Sequence, residues 1–210
     1  MTDTLTGICL QSCYSKGSVH IEQVHFSNFV MDCILPININ IGPNAQFEED
    51  AVIQDISLSR FRVTAFAGSQ IIGRTGLPVR RVHLSSFDWC VRGGTANCEL
   101  RDHKPEVFPV DGFKAFAGQP GLPAALYGVE LEDCVFDDIR LRWEQPSAVW
   151  RDGFYFEACR GLDFHNLVLH RPHPDHGAAL RLCAVENVWA LGCRNTGEDG
   201  FLEIEHCARP

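Results

Sequence analysis

The sequence predicts an all-β chain, a right-handed parallel β-helix that is incomplete at its N-terminal end. Three observations carry this. An apolar template at offsets 0, 2, 5 and 7 recurs along the chain. Its copies start at a near-constant interval. The same place in the five stronger copies holds a pair of polar residues. A period of this size marks a solenoid, in which coils that cannot bury their own apolar faces stack and share one core.

The first copy is Val24, Phe26, Phe29 and Met31, and the second is Ile56, Leu58, Phe61 and Val63. Val82, Leu84, Phe87 and Trp89 form the third, and Cys134, Phe136, Ile139 and Leu141 the fourth. Leu162, Phe164, Leu167 and Leu169 follow, then a weaker copy at Val188, Ala190 and Cys193. The starts step by 32, 26, 52, 28 and 26 residues, the third step being twice 26.

In each copy the apolar-polar-apolar triplet reads as a short strand with alternate side chains buried. Ser27-Asn28, Ser59-Arg60, Ser85-Ser86, Asp137-Asp138 and His165-Asn166 then interrupt it. Short polar side chains satisfy local backbone groups and turn the chain cheaply. A β-sandwich is the competing architecture, but its hairpins would not keep so long a period. The expected buried set includes Val24, Phe26, Phe29, Val82, Leu84, Phe136, Ile139, Leu162, Phe164 and Leu167.

The 210 residues suit one β-helix domain. Residues 1–17 read as irregular chain or a partial coil too short to cap the stack. That leaves self-association through the N-terminal stack face as an expectation. Residues 92–126, rich in Gly and Pro, read as a long loop or a degenerate coil. The net charge of −9 argues against nucleic acid, which needs a basic face, though a local basic cleft can sit on an acidic protein. No apolar run reaches membrane-spanning length, and Met1 to Thr6 has neither the basic nor the apolar region of a secretory signal. No membrane partner is expected, and cellular location stays open. The ten cysteines include no pair spaced as Cys-x-x-Cys, and Cys134 and Cys193 take apolar template positions. They read as reduced, mostly buried thiols packed as small hydrophobes, with a disulfide framework as the alternative.

The stretch from Gly17 through Pro36-Ile37-Asn38-Ile39-Asn40-Ile41 resembles a segment of the family 28 glycoside hydrolases, the polygalacturonases, in their bacterial branch. So do Trp150 to Glu157, Gly161 to Leu167 and Ala179 to Leu182. The resemblance implies the C-terminal coils of a pectin-degrading β-helix and a polysaccharide or oligosaccharide partner. That chemistry needs paired carboxylates, one to protonate the leaving oxygen and others to activate water. The family carries them in Asn-Thr-Asp, Asp-Asp, Gly-His-Gly and Arg-Ile-Lys, in that order. Here Asp137-Asp138, Arg140-Leu141-Arg142, His176-Gly177 and Asn195-Thr196 echo those motifs out of order. The family's positions are expected upstream of Gly17. No residue here is therefore assigned a catalytic role, and the chain reads as a polygalacturonase-like fragment lacking its catalytic carboxylates. The alternative is a non-catalytic saccharide-binding or scaffold module.

Candidate binding residues are Asn38 and Asn40, which alternate with inward isoleucines and whose amides both donate to and accept from sugar hydroxyls. Trp143 and Trp150 bracket a loop and offer indole faces to a sugar ring. His165, His170, His173 and His176 with Asp175 resemble a metal cluster, but Pro172 and Pro174 exclude a helical ligand face. Neither a metal nor a cofactor is expected.

Overall fold

The computed structural model describes residues 4–12, 19–41, 51–94, 124–146, 148, 150–175, 177–195 and 202–205. These form a parallel β-solenoid, and among the described residues there is no helix. Each full coil crosses two faces. The first face stacks, in order, the front half of β2 (His20–Ile41), β3 (Val52–Ala65), β5 (Val79–Gly94), β7 (Leu131–Pro146), β9 (Arg160–His165) and β12 (Glu186–Leu191). β10 (Val168–Leu169) continues the fifth of these rungs against β7. The second face stacks β1 (Thr4–Ser12), the back half of β2, β4 (Ser69–Ile72), β6 (Ala124–Val129), β8 (Asp152–Glu157), β11 (Leu180–Cys183) and β13 (Leu202–Glu205).

The apolar template sets the register. Val24 pairs with Ile56, Ile56 with Val82, Leu84 with Phe136, Cys134 with Leu162 and Leu162 with Val188. These pairings repeat the sequence intervals. β5 pairs directly with β7 across the long interval, so no rung stands between them. Of the expected loop or degenerate coil, residues 95–123 lie outside the described residues, and its last three open β6.

The corners are columns of left-handed backbone. Asn28, Arg60, Ser86, Asp138 and Asn166, each the second member of its polar pair, have φ between +49° and +63°. Gly192 continues the column with φ +70°. A second column just before each triplet comprises Gln23, Asp55, Arg81, Asp133, Gly161 and Asn187. Each non-glycine corner costs roughly 1–2 kcal/mol of local strain, so it persists only because stacked coils above and below enforce it. Gly161 has a further reason to lack a side chain. A Cβ there would stand 2.5 Å from Asp133 Oδ1 in the same column.

Inside, like residues stack on like. Phe29, Phe61 and Phe87 form a pile with centroids 5.3 and 4.8 Å apart, and Phe136 lies over Phe164 at 5.4 Å. Outside, one column reads Glu22, Gln54, Arg80, Glu132, Arg160 and Glu186 in successive register. Glu132 is gripped from both sides, by Arg80 at 2.9 Å and by Arg160.

Seven of the ten expected core residues are sealed, from Val82 to Leu167. Val24, Phe26 and Phe29 are only half-buried. They sit on the first rung, where β1 pairs only with Cys33–Ile41 and leaves the front half of β2 uncovered. Among the described residues the last rung at the opposite end is likewise uncovered. Every residue of β12 is exposed, and Leu202 and Ile204 of β13 are 45% and 57% exposed.

Candidate functional site

The corners and the strands that follow them build a groove on the first face. After each left-handed corner the chain buries one residue, such as Phe61, Phe87 or Ile139, and turns the next outward. Repeated coil after coil, this makes a trough of about 880 Å³ that crosses the rungs. Its outward column is Val30, Arg62, Asp88, Arg140, Val168 and Arg194, and each neighbour in that series is a register partner of the next. Arg60 and Asp138 enter from the corners, and Arg142 and His170 from one alternation further on.

The groove is locally basic. Five guanidiniums face two carboxylates, in a chain whose net charge is −9. Asp88 is committed to Arg142 at 3.4 Å and lies 3.9 Å from Arg62. Among the described residues, Arg60, Arg140 and Arg194 have no ion-pair partner. Guanidiniums without partners beside an open trough suit a carboxylate or other oxyanion, which they grip through two parallel N–H donors. Burial lowers the pKa of the His170 imidazole, so it adds a neutral polar edge rather than a sixth cation.

The residues expected from sequence to bind a saccharide lie elsewhere. Asn38 is 1% exposed and stands in register between Cys9 and Gln70. Its Oδ1 accepts from Gln70 Nε2 at 3.0 Å, and its Nδ2 donates to Cys9 Sγ at 3.4 Å. Asn40, also on the second face, is half-buried beside Ile72. Trp150 is fully buried, 5.0 Å from Trp143 between ring centroids. Trp143 is half-buried and donates its Nε1–H to the His170 carbonyl at 2.8 Å. The tryptophan pair thus braces the segment just after β10 that carries His170. The five groove arginines were missed. Arg140-Leu141-Arg142 stood out only as an out-of-order echo, and nothing singled out Arg60, Arg62 or Arg194. The usable signal was the template itself, since arginine recurs at its outward offsets.

Among the described residues, no group of three or more His, Cys, Asp or Glu side chains is placed to hold a metal ion. No family model matches the chain, and neither curated proteins nor solved structures gave a match.

Proposed function

We propose that this chain is a β-helix module that holds a linear acidic saccharide along its stack without cleaving it. The observation that carries the reading is the groove in which Arg60, Arg140 and Arg194 have no ion-pair partner among the described residues. Its length runs across the coils, as an extended chain requires, and its charge opposes that of the protein as a whole. The resemblance to polygalacturonases supports the same ligand class. Binding without cleavage is favoured because glycoside hydrolysis needs two carboxyl groups free to flank one bond, and in the groove Asp88 is already engaged by Arg142.

The test is titration of the protein with polygalacturonate and with a neutral polysaccharide, at low and at high ionic strength. The acidic polymer should bind, with affinity falling as salt screens the arginines. The double variant Arg140→Glu/Arg194→Glu should lose that binding while keeping the far-UV spectrum, because both side chains are exposed. Equal binding of both polymers, or unchanged binding by the variant, refutes the reading. So does release of reducing ends that disappears on substituting Asp88 or Asp138.

A second reading, an assembly module, is favoured by one observation. The C-terminal rung presents Trp189 and Leu191, each 59% exposed, beside strand edges without a partner among the described residues. A concentration-independent monomer in sedimentation would rule out self-assembly through that end.

A further inference from the structure

We infer that Asp88 is the residue that sets how tightly the groove holds an acid. It acts as a built-in counter-ion, which reserves two of the five guanidiniums and must be displaced before a ligand carboxylate can use them. This rests on the acidic-saccharide reading above.

The position of Asp88 is the first observation. It stands within the outward column, in register with Arg62 on one side and Arg140 on the other. Its carboxylate lies 3.4 Å from Arg142 Nη1 and 3.9 Å from Arg62 Nε. The other carboxylate of the groove, Asp138, makes no ion pair with any described residue. Glu144 also acts on Arg142, but it lies 4.0 Å from Arg92 and outside the groove lining. The five cations thus fall into two classes. Arg60, Arg140 and Arg194 have no carboxylate on them among the described residues, whereas Arg62 and Arg142 share Asp88.

The shared contacts are exchangeable. The side chains of Arg62, Asp88 and Arg142 are 72%, 42% and 57% exposed, so solvent screens each pair and leaves it weak. A tethered carboxylate still has an advantage over a dissolved one, because it gives up no translational freedom to reach its partner. A ligand acid that takes Arg142 breaks one pair for the one it makes, and then stands beside an uncompensated Asp88. A ligand acid that takes Arg140 or Arg194 breaks none. Neutralising Asp88 therefore does more than remove one negative charge from the groove, since it also releases Arg62 and Arg142.

The experiment is calorimetric titration of the full chain and its variants with polygalacturonate, at low and at high ionic strength. Asp88→Asn should bind about three- to tenfold more tightly than the parent chain at low ionic strength. Its affinity should also fall more steeply with salt, because more ion pairs form on binding. Asp138→Asn removes the same charge from the same groove without releasing an arginine, and it should give less than half of that gain. Asp88→Ala should reproduce the gain of Asp88→Asn, which guards against a fault of folding in either variant. Equal gains from Asp88→Asn and Asp138→Asn would mean that net charge alone matters. Unchanged or weaker binding by both Asp88 variants would mean that Asp88 holds no arginine back from the ligand. Either result overturns the counter-ion inference and leaves the acidic-saccharide reading standing. Failure of the parent chain and of Asp88→Asn alike to bind the polymer at low ionic strength overturns both.

Discussion

Asp152 and Arg181 form an ion pair sealed from solvent on the second face of the solenoid. Arg181 Nε donates to Asp152 Oδ2 at 2.9 Å, and the side chains are 7% and 1% exposed. Asp152 Oδ1 also accepts from the Ala178 backbone N–H at 2.8 Å. The carboxylate therefore ties β8 both to Arg181 in β11 and to the segment that leads into it.

Removing one partner of a buried pair strands the other charge. Asp152→Ala should destabilise the fold by about 3–5 kcal/mol, whereas replacing both residues with apolar ones of similar volume should cost much less. Urea unfolding of the two single variants and the double variant measures this. A loss for Asp152→Ala no larger than that of a surface substitution would mean that the pair is hydrated in solution.

Position in the stack should grade the aromatic pile. Phe61 lies between Phe29 and Phe87 and is 2% exposed, while Phe29 is half-buried on the first rung. Phe61→Ala should cost about 3–5 kcal/mol. Phe29→Ala should cost less than half of that, because less of its surface leaves water on folding. The midpoint shifts in chemical denaturation should rank accordingly, and the reverse ranking would show that the first rung is covered in solution.

The thiols give a pH signature. Burial is the main reason that Cys33, Cys134 and Cys159 are each pushed up to about 12 from the ordinary 9.0. A raised folded-state pKa means that the unfolded chain loses the proton first. The stabilisation is complete below pH 9 and is lost as pH rises from about 9 towards 12. Stability should fall across that window in the parent chain and fall less in Cys134→Ala and Cys159→Ala variants. At neutral pH an alkylating reagent should reach exposed Cys9 well before buried Cys134 or Cys159, as peptide mapping would show.

Glu132 should mark the acid limb. Hydrogen bonds from Arg160 and then Arg80 hold its carboxyl below the ordinary 4.5. A depressed folded-state pKa contributes stability above pH 4.5, and that contribution is lost as pH falls through the lower folded value. Glu132→Gln should flatten this limb by less than about 1 kcal/mol, since exposed partners on either side are well screened. An unchanged acid limb in the variant would mean that neither arginine holds the carboxyl in solution.

The rungs could be read from sequence because burial imposes a one-dimensional signal. Val24, Ile56 and Val82 must all point inward, so spacing alone gives their pairing. The polar pairs marked the corners, although nothing in Arg60 or Ser86 announces left-handed backbone. That conformation is enforced by the neighbouring coils. The groove was illegible for a related reason. An outward arginine such as Arg140 looks like any solvated residue until stacking aligns it with Arg62 and Arg194. Asn38 shows the opposite limit of alternation. Alternation correctly turns it away from the isoleucine core, but alternation does not reveal that Cys9 and Gln70 close over it. For Trp150, a loop flanked by indoles gives the same pattern whether the rings face outward or, as here, inward.

The outer charge column ends in the same sign at both limits, Glu22 at one and Glu186 at the other. Were a second copy to continue the first in the same direction, the column would bring these two carboxylates together, where the interior of the column places Arg80 against Glu132. Among the described residues both terminal rungs present strand edges without a partner, and such edges carry a risk of growth into a fibre. Two like charges brought together in this way would oppose that growth. We expect Glu22→Lys to replace that opposition with attraction, so that the variant elongates at low ionic strength and dissociates as salt is raised. If sedimentation shows no elongation, the ends are guarded by something other than charge.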